Sequence, residues 1–245
     1  MNDKVAPLLK PRSDLGIRTL SSVAMMSVAI VAIWLGGYAF MALVIAVGLG
    51  VFFEFTKLVF GFTRSPMARI LWLLGGLTYV GLACFTLMLF SAPFFGMTPA
   101  ILLIAGVIGT DVGAYFAGRS IGGPKIAPRI SPSKTWSGLF GGMMGAGLMM
   151  VFIQAGIYAF RGGNAGDGDV YLAYGWFRLM LTGAALAVVA QMGDFFESWM
   201  KRRAGVKDSG RLIPGHGGLF DRTDGLIAVA FAAGVVTLFQ SVAGS

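Results

Sequence analysis

Charge is what this sequence has least of. Only 12% of its 245 residues are Asp, Glu, Lys or Arg, and a soluble domain of that length needs far more to cover its surface. Cysteine is scarcer still. The single Cys84 excludes an internal disulfide and reads as a small buried hydrophobe. The one histidine, His216, has no second His or Cys to join in a zinc site. No internal repeat and no low-complexity segment is present. The N-terminal stretch MNDKVAPLLKPRSDLGIR is not followed by a convincing small-residue cleavage site, so residues 1–16 are expected to be a short cytoplasmic tail leading into a retained helix.

What the chain has is apolar length. Hydrophobic residues make up 56% of it, the mean hydropathy is +0.78, and 37 glycines permit close helix approach. The class is therefore an all-α integral membrane protein, one polytopic helical bundle over residues 1–245. At roughly 20 apolar residues per crossing, helices are expected near 17–35, 38–59, 68–90, 98–118, 137–159, 173–195 and 224–243. The count is about seven, rising to nine if Gly-rich spans are broken into half-helices. Only Gly36 and Gly37 separate the first two, which demands a tight hairpin there.

The formal net charge of +8 raises the question of nucleic acid, but its distribution answers it. With the tail inside, the inner loops 60–67, 119–136 and 196–223 and their flanks carry Lys57, Arg64, Arg69, Arg119, Lys125, Arg129, Lys134, Lys201, Arg202, Arg203, Lys207, Arg211 and Arg222. The outer loop 91–97 has no basic residue, and the next has Arg161 against Asp167 and Asp169. This is the positive-inside pattern at every loop, and it points to anionic lipid and not to nucleic acid. The last helix ends outside.

Ionisable groups in spans are functional suspects. Asp111 sits toward the inner end of the fourth helix. Asp194 and Glu197 share a face at the inner end of the sixth, and Asp221 and Asp224 open the seventh, again three residues apart. Acids from three helices thus fall at one depth. Each has a structural alternative: Asp221 as a helix N-cap, Glu197 paired with Lys201 at i,i+4, Asp111 paired with Arg119 or another basic residue. Carboxylates without a Cys or His partner suit a hard cation such as Mg2+, which takes oxygen ligands and shares them with substrate phosphates. Phosphate donors are also at hand. Ser133, Lys134 and Thr135 precede the fifth helix, whose free N–H groups favour an anion. Between residues 201 and 222, Lys201, Arg202, Lys207, Arg211 and Arg222 alternate with Gly205, Gly210, Gly215, Gly217 and Gly218. His216, held between glycines, reads as a contact to phosphate or base.

The stretch SWMKRRAGVKDSGRLIPGHGGLFDRTD, Ser198 to Asp224, resembles the signature of the phosphatidate cytidylyltransferases, the CDP-diacylglycerol synthases, at every fixed position. DVGAYFAGRSIGGPKIAPRISPSKTWSG is similar to a second block of that family, and the two bracket a catalytic half over 109–225. One departure is Ser137, where many members carry Glu. The resemblance implies transfer of a cytidylyl group from CTP to phosphatidic acid, giving CDP-diacylglycerol and pyrophosphate at the membrane bilayer. It implies a centre of Mg2+ with a monovalent cation such as K+ on Asp194, Asp221 and Asp224, with Lys207, Asp208 and His216 also catalytic. Asp111, Arg119, Ser133, Lys134, Thr135, Lys201, Arg202, Gly217, Gly218 and Arg222 would bind nucleotide or phosphate. The site is expected to face the cytoplasm from a bacterial inner (plasma) membrane, and the glycine-rich helices permit a homodimer. Two rival readings are a related lipid nucleotidyl- or phosphotransferase and a cation-coupled transporter. The transporter would spread its acids through the membrane and show repeat symmetry.

Overall fold

The computed structural model describes residues 13–160, 165–213, 215 and 217–244. Its helices are α1 (Ser13–Leu35), α2 (Gly37–Phe62), α3 (Pro66–Leu89), α4 (Thr98–Ser120), α5 (Trp136–Phe160), α6 (Ala165–Ala204) and α7 (Phe220–Ala243). Six of these, α2 to α7, are long and apolar enough to cross a membrane; α1 contributes a shorter apolar stretch, Thr19–Leu35. Seven unbroken helices mean that the glycine-rich spans do not split among the described residues.

Local chemistry sets the boundaries. Gly36 and Gly37 turn α1 into α2 with φ of 61° and 46°, a left-handed conformation that a side chain resists. Pro66 starts α3 with Ser65 as its N-cap, the serine Oγ accepting from the N–H of Ala68 at 3.5 Å. Beyond the sequence expectation, the loop between α4 and α5 contains an antiparallel hairpin, β1 (Lys125–Ala127) and β2 (Ser131–Thr135). Its turn closes through the Ile130 N–H donating to the Ala127 carbonyl at 3.0 Å, with Pro128 at the position where its fixed φ suits a turn.

α4 and α5 pack on glycine. A Cβ at Gly109, Gly113, Gly141 or Gly145 would fall against the facing helix, so the two backbones touch as in other small-xxx-small membrane contacts. The rest of the core lies between α2, α3, α6 and α7, where Val51, Phe55, Val59, Met200, Phe220 and Val229 are fully or almost fully buried. At that end of the bundle Trp72, Phe196 and Trp199 stack with centroids 5.8 to 6.4 Å apart.

α6 departs most from expectation. It does not stop near 195 but runs on to Ala204, 40 residues in all or roughly 60 Å. Asp194, Glu197 and Lys201 therefore project from one continuous helix. α7 likewise begins at Phe220, so Asp221 lies in its first turn and is not the N-cap, which falls at Leu219.

Candidate active site

Two polar clusters form where α4, β2, α6 and α7 meet. The first is a cavity of about 30 Å³ lined by Asp111, Lys134, Gln191, Asp194, Arg222 and Asp224 among others. The Lys134 ammonium pairs with Asp194, and the Ser198 hydroxyl donates to the same carboxylate at 3.3 Å. Asp224 accepts from the N–H of Gly225 at 2.8 Å. Its closeness to Asp194 follows from Gly193, where a Cβ would come within 2.7 Å of the Asp224 carbonyl oxygen. Glycine there lets α6 and α7 approach until successive acids share one cavity.

Lys134 reaches this cavity because its neighbours hold the hairpin end. Thr135 is buried and caps α5, its Oγ1 accepting from the N–H of Gly138 at 3.1 Å. The N–H of Trp136 donates to the Pro124 carbonyl at 3.1 Å. Part of the N-terminal donor set expected to meet an anion is thus engaged within the protein. Ser137 donates to the Gly122 carbonyl, tying the glycine turn to the helix. Ser133 is exposed.

The second cluster is centred on Lys201, whose Nζ lies 2.5 Å from Glu197 and 2.6 Å from Asp221. The i,i+4 pair expected between Glu197 and Lys201 is present, but the lysine bridges α6 to α7 as well. The other oxygen of Asp221 accepts from the Ser209 N–H at 2.9 Å and the Gly218 N–H at 2.8 Å, and lies 3.0 Å from the Ser209 hydroxyl, whose one proton it shares with a second carboxylate. With both oxygens engaged, Asp221 stands apart from the Asp194–Asp224 cavity. Among the described residues no group of three or more acids, His or Cys is gathered closely enough to hold a metal ion.

The remaining expected residues scatter around these clusters. Lys207, Asp208 and Arg202 are exposed, with Asp208 beside Gly217. Gly217 has φ of 83° and bridges to Ile213 across the loop; Gly218 donates to Asp221 as above. Arg119 is exposed and donates to the Tyr115 hydroxyl at 3.1 Å, and the basic residues that share a cavity with Asp111 are Lys134 and Arg222. His216 lies outside the described residues.

One residue went unread in the sequence. Glu54 of α2 is completely buried, and its Oε2 accepts from the Ser209 hydroxyl at 3.0 Å and the Phe220 N–H at 2.8 Å. Its signal was present as a lone acid inside a hydrophobic span, but no neighbouring motif drew attention to it. Beside the polar clusters an apolar cleft of about 520 Å³ opens between α3, α6 and α7, lined by Trp72, Gly75, Tyr79, Met192, Phe196 and Phe231 among others. Met192 and Phe196 lie two residues either side of Asp194 on α6 and so on the opposite face of the helix, and the cleft and the acidic cavity share no lining residue.

The model of the cytidylyltransferase family matches residues 63–240. Phosphatidate cytidylyltransferase of Brucella suis biovar 1 (strain 1330) is 34% identical over 275 residues, covering 94% of each chain. The proteins of that name from Rickettsia bellii (strain RML369-C) and Rickettsia typhi (strain ATCC VR-144 / Wilmington) are 36% and 31% identical. The first covers 90% of each chain, and the second 91% of this chain and 92% of its own.

Proposed function

Because the chain belongs to the cytidylyltransferase family, we infer that it is a phosphatidate cytidylyltransferase, an integral membrane enzyme that makes CDP-diacylglycerol and pyrophosphate from CTP and phosphatidic acid. The observation that carries the reading is the acidic cavity of Asp194 and Asp224, lined also by Lys134 and Arg222, with an apolar cleft on another face of the same helix α6. The first offers what a nucleotide triphosphate needs, and the second what an acyl chain needs.

In this reading a phosphatidate oxygen attacks the α-phosphorus of CTP in line, the new P–O bond forming as the bond to pyrophosphate breaks. No base has to remove a proton first, since a phosphate monoester with a second pKa of about 6 is already largely ionised near pH 7. The obstacle is repulsion between two polyanions. Lys134 and Arg222 reduce it by holding phosphate oxygens, the guanidinium in bidentate fashion. Arg202 and Lys207, both exposed, extend the basic surface along α6 and its loop for triphosphate or headgroup, while Lys201 stays engaged with Glu197 and Asp221.

We place a divalent cation in the first cavity, held by two carboxylates with the remaining ligands left to substrate phosphates. About 30 Å³ seats one water or one bare ion, and the oxygen donors there suit Mg2+. Asp194 and Asp224 would hold it, with Asp111 across the cavity. Bound there, the ion would supply charge neutralisation for the reacting phosphates. Asp221, whose oxygens are occupied by Lys201, Ser209 and Gly218, fits a positioning part better than a share in that ion. A monovalent cation such as K+ belongs to the same proposal. So do a cytoplasm-facing site in the inner membrane, which rests on the loop charges, and a homodimer.

The test is direct. Detergent-purified protein given labelled CTP and phosphatidate should form a lipid-extractable product with Mg2+ and none after chelation. Product formed only with a polyprenyl or other lipid phosphate would replace phosphatidate as the substrate, and no product with any lipid phosphate would sink the reading.

A further inference from the structure

Glu54 lies outside both signature blocks and before the family match begins at residue 63, yet it holds the signature loop at two points. Its Oε2 accepts from Ser209 in the loop and from the N–H of Phe220, the first residue of α7. Its Oε1 is buried without a hydrogen-bond partner and packs against Gly210, where a Cβ would collide with it. At Gly218 a Cβ would come within 2.6 Å of Oε2. A carboxylate at 0% exposure with one oxygen unpaired carries a desolvation cost, so its presence is not explained by packing alone.

What it touches gives the reason. Ser209 is shared: its hydroxyl lies 3.0 Å from Glu54 Oε2 and 3.0 Å from Asp221 Oδ2, and its N–H also donates to Asp221. Phe220 is the residue before Asp221. Of the two contacts of Glu54, one hydrogen-bonds Asp221 and the other precedes it in sequence, and Asp221 is the aspartate that Lys201 bridges to α6. Glu54 itself does not line the cavity of Asp194 and Asp224.

We propose that Glu54 is a positioning residue for cytidylyl transfer, clamping the glycine-rich loop 205–219 onto α2 and so fixing Asp221 and Lys201 relative to the acidic cavity. Gly210 and Gly218 are the counterpart of the clamp, since only a residue without a side chain lets the loop backbone close over the carboxylate. The inference rests on the transferase reading for its kinetic arm and on geometry alone for its structural arm.

The experiment uses full-length protein in detergent with CTP and phosphatidate, comparing Glu54→Ala, Glu54→Gln, Glu54→Asp, Gly210→Ala and the Glu54→Asp/Gly210→Ala pair. Glu54→Ala should lower kcat by about 10- to 100-fold, the usual range for an orienting partner, with KM values within about threefold of wild type. Glu54→Gln keeps an oxygen for Ser209 and Phe220 and should recover most of that loss. Gly210→Ala pushes on the carboxylate and should also lower kcat. Shortening Glu54 by one methylene makes room for that methyl, so the pair should be more active than Gly210→Ala alone. A general loss of fold would not produce such a rescue. Hydrogen exchange of segment 205–219 supplies the arm that needs no turnover: it should quicken in Glu54→Ala and return toward wild type in Glu54→Gln. Wild-type kcat in Glu54→Ala, unchanged exchange in that variant, or strictly additive effects in the pair would each overturn the clamp. If Glu54→Ala does not fold, the Gln variant and the Gly210 pair decide. A wild type inactive on CTP and phosphatidate, with exchange behaving as stated, would count against the substrate and leave the clamp standing.

Discussion

Lys201 shows how much one side chain carries here. It sits between Glu197 and Asp221 with its side chain only 13% exposed, and removing one member of such a buried set leaves charge uncompensated, at a cost of about 3–5 kcal/mol. Lys201→Ala should therefore lower the thermal midpoint in detergent as well as turnover, and a variant with wild-type stability would show the bridge to be unimportant. Asp194 and Asp224 should behave differently. Asp194→Asn and Asp224→Asn keep shape but remove charge, so turnover should fall by about 10²–10³, as for loss of other charge-stabilising groups, in a protein that still inserts and folds. Full activity at limiting Mg2+ in either variant would return that acid to a purely structural part. For His216 the expectation is a positioning contact, because the attacking oxygen is already ionised. His216→Gln should retain some activity, His216→Ala less, and the acidic limb of the pH profile should survive in the Gln variant. Loss of that limb would make the histidine an acid or base.

At the scale of elements, helix ends were harder to read than helix centres. The α2, α3, α4 and α5 spans are close to those expected from apolar length, because a bilayer-sized run of hydrophobic residues has one stable solution. α6 overran its expected end because SWMKRRA is polar enough to look like a loop, yet its residues are good helix formers and Met200 is buried against the core. The hairpin of β1 and β2 went unread because short strands carry no periodic signal. The cleft between α3, α6 and α7 depends on which helices become neighbours, and gives an element-scale prediction. A Cβ at Gly75 meets nothing within 4 Å, so Gly75→Trp should fold while filling the cleft. It should raise KM for phosphatidate about tenfold, equivalent to roughly 1.4 kcal/mol of lost binding, and leave KM for CTP unchanged. An equal rise in both would place the acyl chain elsewhere.

The whole molecule has an orientation to be tested. Loop charge puts the tail and the 196–223 region inside and the end of α7 outside. In a Cys84→Ala background, a cysteine at Val206, which is exposed, should resist a membrane-impermeant maleimide in intact cells and react after lysis. A cysteine at Gly244 should react in intact cells. The reverse pattern would invert the topology and take the active site out of reach of cytoplasmic CTP.

Membrane class, helix number and the family signature were all set by the sequence alone, since each depends on composition or on order along one segment. The acids at one depth were legible for the same reason: depth follows from distance along a helix. Which acids meet was decided only by the tertiary structure. Asp221 and Asp224 are three residues apart on α7, yet the first turns to Lys201 and Ser209 and the second to the Asp194 cavity. Glu54 and Ser209 are 155 positions apart. No local pattern announces that contact, because it exists only once α2 packs under the loop and every buried oxygen must find its donor.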